Sequence, residues 1–492
     1  MTATLETPGE LLFGELPTLI GGELRGAASG LTIDTVNPAT GELIARIPRC
    51  DTADVEAAVE AAEKALPQWR RTSLADRAKY LVRMAEVVEA RAEELARIDS
   101  IDNGSLLVEM RKDAAAAARR LRHYAGIALQ LRGETISTGH ERVNYTLNDP
   151  FGIAARIIPF NHPLLFLASK FAAPVLAGNA VIMKPSEHTS LSALALAKDL
   201  AEIFPPGLVS ILTGYGREVG DAIVVHPKIR RISFIGDPAT GRTIQARAAT
   251  VAVKSITMEL GGKNPIVVFP DADLDDALDG VVRGMAFTWQ GQSCGSTSRL
   301  LVPTELHGEF VDKLAARMAA LTPGLPEDPE AGTGAIVNTQ QMDKVLRYVD
   351  IGREDGATLV TGGTRATDGP LAAGNFVRPA LFDDVDPGSR LAQTEIFGPI
   401  LATFTYTDYA DAIRLANNVS QGLTAAAYTR DLATAHRFAR DVEAGYVWVN
   451  DSGPHFPGAS FGGVKESGLG READLDEVRS YTQHKNVNIK FG

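Results

Sequence analysis

Cysteine is scarce in this chain: Cys50 and Cys294 are the only two among 492 residues. Two thiols cannot build a disulfide framework or a thiolate metal site, so a reducing cytoplasm is the expected setting and no metal is expected. Positive charge is also short. Asp and Glu number 61 against 49 Lys and Arg, a formal net charge of -12, which repels phosphate backbones and anionic bilayers at long range. Neither nucleic acid nor membrane is therefore an expected partner. Long apolar runs are missing too. The most hydrophobic stretch, PLLFLASKFAAPVLAGNAVIM at residues 163–183, is interrupted by Lys170, Pro174, Gly178 and Asn179, and it divides into a buried helix and a strand rather than one membrane span. The opening MTATLETPGELLFGEL has neither the basic segment nor the apolar core of a signal peptide.

What is present describes an α/β protein. Hydrophobic residues make up 45% and charged residues 22%, and the length implies about two to four domains. An early hairpin is punctuated by the Gly-Gly of TLIGGELRG, and residues 51–100 carry amphipathic helical patterns with Asp51 or Thr52 and Ser73 available as N-caps. From Gly152 the rhythm becomes strand, turn, helix. GIAARIIP, AVIMK, LVSILTG, RISFIG and SITMELGG read as strands, and helical patterns between them predict a mainly parallel sheet covered on both faces. A second α/β rhythm runs over residues 264–450, with NPIVVF, RLLVP and GYVWVN as strands. Residues 130–149 and the tail YTQHKNVNIKFG alternate like β structure outside both rhythms, and strands so placed need a partner edge.

Several residues carry chemistry. Cys294, in FTWQGQSCGSTSR, has small polar neighbours that suit approach to a ligand better than core packing. Glu259, between Met258 and Leu260, is placed for the desolvation that raises a carboxyl toward general-base range, unless it simply faces solvent. Asn161 in PFNHP offers an amide to a developing oxyanion, or else closes a local turn. Lys184, Ser186 and Glu187 follow the end of a strand, where the lysine and carboxylate suit the hydroxyls of an adenosine ribose and the carboxylate would repel a 2′-phosphate. As an isolated motif they would be a solvated pair. Gly214, Gly216 and Gly220 miss the dinucleotide spacing, and Gly236 marks the next strand-to-helix turn. Thiol, carboxylate, amide and nucleotide fold together point to covalent catalysis on a carbonyl.

These residues resemble those of the NAD(P)-dependent aldehyde dehydrogenase superfamily. PFNHP, KPSE, MELGGKNP, FTWQGQSC, EIFGP and FGGVKESGLGRE occur in the family's order over nearly the whole chain. The resemblance implies Cys294 as nucleophile, Glu259 as the base for the deacylating water, and Asn161 with the Cys294 N–H as oxyanion hole. It implies NAD as cofactor, with NADP compatible, held by Ile157, Pro159, Phe160, Lys184, Ser186, Glu187, Gly216, Phe234, Gly236, Asp237, Gly241, Leu260, Glu395 and Phe397. Lys170 and Glu466 match positions linked to a proton path. The implied fold is α/β: a Rossmann-like cofactor domain from residues 1–129 and 150–260, an α/β catalytic domain from 261–470, and a small β bridging (oligomerisation) sheet from 130–149 and 471–492. A homodimer or homotetramer follows, its tail pairing with a neighbouring subunit.

Two positions depart from the family pattern. Asp237 stands where a small hydroxyl residue usually meets the pyrophosphate, and Asp-Pro is an N-cap pair. Weakened pyrophosphate binding is expected, with Arg242 as compensation. Gly295 removes a second thiol beside Cys294. The expected activity is oxidation of an aldehyde to the free acid through a thiohemiacetal and thioester. A CoA-acylating enzyme is the alternative, and a non-catalytic binding protein on the same scaffold is the alternative from another class. Phe166, Trp289, Tyr446, His455 and Phe456 are expected to line a substrate tunnel for an aromatic or other hydrophobic aldehyde.

Overall fold

The computed structural model describes residues 12–491. Five strands, Ile153–Ile157, Ala180–Lys184, Val209–Ile211, Ile229–Gly236 and Ser255–Leu260, run parallel. Their lateral order is fifth, fourth, first, second, third, so the winding direction reverses beside the first strand. The hairpin Thr18–Ile20 with Glu23–Arg25 extends one edge of this eight-stranded sheet, and Gly468–Leu469 extends the other, both antiparallel. Helices Thr52–Arg71, Leu74–Ala90, Ala92–Asn103 and Leu107–Ile127 bury one apolar stripe each in the core of this sheet. Asp51 rather than Thr52 caps the first helix, in a capping box with Asp54, and Ser73 caps the second.

A second, seven-stranded sheet orders as Thr358–Thr361, Ala380–Asp383, Ile400–Tyr406, Arg299–Pro303, Pro265–Val268, Thr424–Tyr428 and Tyr446–Val449. All its neighbours are parallel except the first pair, and a separate apolar core fills each face. The chain passes from Ser255–Leu260 to Pro265–Val268 through residues 261–264. Carboxyl ends of the first sheet thereby meet amino ends of the second.

The tail begins before its expected boundary and then forms the expected small sheet. The second sheet's last strand ends at Val449, and Gly468–Leu469 pairs with Ser255–Leu260, so the chain rejoins the first sheet before residue 470. The tail strand Thr482–Lys490 pairs antiparallel with Arg142–Pro150 of its own chain along nine residues, and Thr135–Ile136 adds a short third strand. These two segments form the small sheet expected of them, because both strands emerge from elements docked on the first sheet. The outer edge of the tail strand has no partner among the described residues.

Candidate active site

Cys294 lies in the loop between the turn Phe287–Trp289 and the strand Arg299–Pro303. That loop is held against its backbone preference. Ala286 and Gln290 both have φ 55°, and a Cβ at Gly291 would fall 2.4 Å from the Gly398 carbonyl oxygen. Such strain, about 1–3 kcal/mol per residue, persists only where surrounding contacts fix it. The Gln290 amide donates to the Thr288 carbonyl at 3.1 Å and accepts from Gln292 Nε2 at 3.0 Å and Ser105 Oγ at 3.3 Å. Asn264 ties the loop to the second sheet: its Nδ2 donates to the carbonyls of Cys294 (2.7 Å) and Ser296 (3.0 Å), and its Oδ1 accepts from Thr424 N at 3.0 Å. Asn264 was not expected to act here, although a buried amide at a strand start within MELGGKNP is the signal. Burial, then Glu395 and Glu259, push the partly exposed Cys294 thiol up to about 12. The resting thiol is protonated and needs a base.

Asn161 is buried, and its Nδ2 donates at 2.9 Å to the carbonyl of Gln292, two residues before Cys294. A partner 131 positions away replaces the local-turn reading, and a second amide hydrogen is unspent. Glu259 is 4% exposed, and neither carboxyl oxygen has a partner among the described residues. Burial and then Glu472 raise its pKa well above the carboxylate range, while Lys170 and Arg471 oppose. A Cβ at Gly462 would stand 2.8 Å from Glu259 Oε1, so glycine there leaves the carboxyl its space.

The structure does not bring Glu466 to Lys170. Glu466 is exposed and pairs with Arg242 at 3.0 Å. Lys170 Nζ pairs instead with Glu472, which also accepts from Arg156 at 2.8 Å, and Arg156 reaches Glu477 at 2.7 Å. Burial opposes ionisation of Glu472, but Lys170 and Arg156 outweigh it and hold the carboxyl low. The reason is topological: after Gly468–Leu469 joins the first sheet, the Phe461–Glu472 bridge turns Glu472 inward.

The residues expected at the cofactor sit at carboxyl ends of the parallel strands or just beyond. Ile157, Pro159 and Phe160 follow the first strand beside the reversal of winding. Lys184 Nζ donates to Glu187 at 3.2 Å and to the Pro185 carbonyl at 3.0 Å. The lysine side chain is 3% exposed and that of Glu187 26%, so the pair is not merely solvated. Burial would raise Glu187, but Lys184 outweighs it and keeps the carboxyl below its usual range. Ser186 is turned into its own loop, accepting from His188 N at 3.3 Å. Gly216 opens the turn Gly216–Gly220. The Phe234 ring occupies the place of a Cβ on Gly236, at 2.5 Å, and a Cβ on Gly241 would meet Leu260 at 3.1 Å. These glycines let the helix Pro238–Ala249 lie close to its strands. Asp237 caps that helix, accepting from Ala239 N at 2.7 Å and Thr240 N at 3.3 Å. Arg242, the expected compensating cation, is exposed and pairs with Glu466 at 3.0 Å.

Glu395 accepts from Gly262 N at 3.2 Å, and a Cβ on Gly261 would lie 1.6 Å from its Oε2. Burial pushes this carboxyl up to about 7, against the Gly262 N–H and Lys344. Phe397, held at φ 60°, meets Phe160 edge to face with centroids 5.6 Å apart.

Of the expected tunnel residues, Phe166 and Trp289 flank His162 at 5.4 and 5.7 Å between centroids. Tyr446 and His455 form a second group with Phe461 and Trp448, at 5.2 Å for Tyr446–His455 and 4.9 Å for His455–Phe461. A Cβ at Gly295 would be 3.8 Å from His455 Nε2, which puts this group beside the thiol loop. Phe456 is the exception: it is 59% exposed and in neither group, because its loop turns it outward. His162 and Phe461 take the place it was expected to share.

Comparison with known proteins agrees with this arrangement. Residues 26–487 match the model of the aldehyde dehydrogenase family. The chain is 42% identical to aldehyde dehydrogenase tropH of Talaromyces stipitatus, over 93% of this chain and 90% of that protein. It is 40% identical to hydroxyisobutyraldehyde dehydrogenase of Mycolicibacterium austroafricanum, over 100% of this chain and 97% of that protein. Among solved structures it resembles the P. syringae indole-3-acetaldehyde dehydrogenase in complex with NAD+ and IAA, with a TM-score of 0.94, 36% identity, and 96% of each chain covered. With a thiol loop, a buried carboxyl and two α/β sheets joined at one cleft, the chain belongs to the aldehyde dehydrogenase family and is an oxidoreductase acting on aldehydes.

Proposed function

We propose that the protein oxidises an aldehyde to its free carboxylic acid with NAD, the carbonyl carbon being carried on Cys294 Sγ. The observation that carries this reading is the unpartnered Glu259 carboxyl, buried beside the Lys170–Glu472 pair. A buried carboxyl with both oxygens free is costly unless it has work to do, and accepting a proton from water is such work. The Lys184–Glu187 pair, the Phe160–Phe397 contact and the buried Glu395 fit a dinucleotide whose nicotinamide end lies near the thiol. The capped helix at Asp237 fits its pyrophosphate less well. When bound, NAD supplies the hydride acceptor.

The chain's own residues do the rest. Sγ passes its proton to Glu259, which releases it to solvent, and bonds to the aldehyde carbon, while the free Asn161 amide hydrogen and the Cys294 N–H hold the oxyanion. Once hydride has left, a thioester remains on Sγ. Glu259 then takes a proton from water, the hydroxide adds to the thioester carbon, and the C–S bond breaks; the carboxylic acid leaves and Sγ, reprotonated by Glu259, stays on the enzyme. The balance is aldehyde, water and NAD+ to acid, NADH and a proton.

Both ring groups favour an aromatic or other apolar aldehyde. Glu187 favours NAD over NADP, since its charge meets a 2′-phosphate. The free outer edge of Thr482–Lys490 supports a homodimer or homotetramer, and two free cysteines support a reducing cytoplasm. None of the described helices is long and apolar enough to cross a membrane. The test is product analysis with and without CoA. Free acid formed without CoA is expected, with Glu259→Gln releasing about one NADH per site before slowing by roughly 10²–10⁴-fold. A strict requirement for CoA would overturn the reading.

A further inference from the structure

The approach to Cys294 carries more unspent polar groups than a purely apolar aldehyde requires. The helix Leu107–Ile127 runs along it. Asp113 on this helix accepts from His162 Nδ1 at 2.7 Å, which contacts the Phe166 and Trp289 rings. His123, ten positions on, lies 3.1 Å from the place of a Cβ on Gly458, in the loop that follows His455. Arg120 falls between Asp113 and His123 on the same helix face, because positions three to four apart stack along one side. Its charge acts on Tyr446 as well as on His123 and His455, which places Arg120 near the second ring group. After burial, the Arg120 charge is the largest influence lowering the His123 and His455 imidazoles.

On the same helix Arg111 pairs with Glu93 at 2.7 Å and Arg122 with Glu89 at 2.6 Å. Half-buried Arg120 has no carboxylate partner among the described residues. The nearby acids are committed: Asp113 to His162, Glu109 to Lys112, Glu472 to Lys170, and Asp474, whose charge also reaches His123, to the N–H groups of Asp476 and Glu477. Other groups along this approach are unspent as well. Trp289 Nε1 and His123 Nε2 lie out of solvent with no partner. A carboxylate only accepts, so His162 Nδ1 carries the hydrogen toward Asp113; burial opposes the charge on the ring, but Asp113 outweighs it and favours the imidazolium, whose Nε2–H can donate to a ligand.

We propose that Arg120, with the unspent groups of His162 and Trp289 beside it, binds a carboxylate at the far end of an aldehyde whose body is flat and apolar. A guanidinium offers a carboxylate two parallel N–H donors, and the rings accept the body between that charge and Sγ. The site deepens the aldehyde-oxidising reading and rests on it for the reaction, but not for binding.

The test compares 4-carboxybenzaldehyde with its methyl ester and with benzaldehyde, using the full chain and NAD. In the wild type, KM for the carboxylate is expected about tenfold or more below that for the ester, as a charge-assisted hydrogen bond supplies. Arg120→Gln should erase that difference while leaving KM for benzaldehyde and every kcat within about twofold, and Arg120→Lys should restore part of it. Equal KM values for carboxylate and ester in the wild type, or an equal loss on both in Arg120→Gln, would overturn the proposal. Should no aldehyde be oxidised, calorimetric titration with 4-(hydroxymethyl)benzoate and its methyl ester still decides it. Tighter binding of the carboxylate that is lost in Arg120→Gln supports the site, and equal binding refutes it.

Discussion

Replacing Asp237 with serine separates a helix cap from a charge. The Asp237 carboxylate accepts from Ala239 N and Thr240 N at the start of Pro238–Ala249. Serine caps about as well as aspartate, so Asp237→Ser should leave the melting temperature nearly unchanged. Cofactor affinity should move, because the helix end keeps its cap but loses a negative charge. A unit charge about 6 Å from a phosphate, at an effective dielectric constant of about 40, opposes binding by about 1.4 kcal/mol, or roughly tenfold. Salt near 0.15 M screens part of this, so KM for NAD should fall by about three- to tenfold with kcat unchanged. The assay is initial rate against NAD at saturating aldehyde. Added salt should lower the wild-type KM more than that of the variant. Asp237→Ala separates the effects by losing the cap as well, at about 1 kcal/mol of stability. An unchanged KM for NAD in Asp237→Ser would refute the reasoning, and a raised one would make Asp237 a favourable cofactor contact.

Four further outcomes are expected. Glu395, held near 7 by burial, is neutral below and charged above that pH, so kcat/KM for NAD should rise as a carboxylate forms beside the nicotinamide; Glu395→Gln should flatten the pH profile there. The same raised carboxyl lowers folding stability as pH rises from its ordinary value of 4.5 to about 7, and thermal melts of Glu395→Gln should lose that dependence. Gly261→Ala puts a Cβ where Glu395 Oε2 lies and should depress activity at least about tenfold with the fold retained by circular dichroism, since a flexible carboxyl yields before backbone does. Glu187→Gln removes the charge facing a 2′-phosphate while keeping a hydrogen-bonding side chain for Lys184, and the ratio of NADP to NAD efficiency should rise severalfold; no rise would place the ribose elsewhere.

Local signals explain what the sequence shows. Strand periodicity, the Asp51, Ser73 and Asp237 caps, and the divided apolar run at residues 163–183 depend on neighbours a few positions away, and all appear in the structure. Asn161, Glu259, Glu395 and the Cys294 loop are neighbours for a related reason, each lying in or beside a loop at the end of a strand. Glu466 and Phe456 show the limit. Glu466 and Glu472 are both glutamates in one glycine-rich segment, and only the pairing of Gly468–Leu469 with Ser255–Leu260 turns Glu472 toward Lys170. Asn264 and His162 gain their meaning from partners far away in the chain, which no local pattern encodes.

By itself, then, the amino-acid sequence determined a two-part α/β protein, its thiol, carboxyl and amide, and its repulsion of polyanions, because composition and short-range periodicity specify these. Tertiary structure alone decided which carboxyl meets Lys170, which edge of the tail strand stays open, and that Arg120 has no carboxylate partner among the described residues. Those outcomes depend on the register of strands and the docking of a helix across a cleft, and both are set by packing between segments hundreds of residues apart.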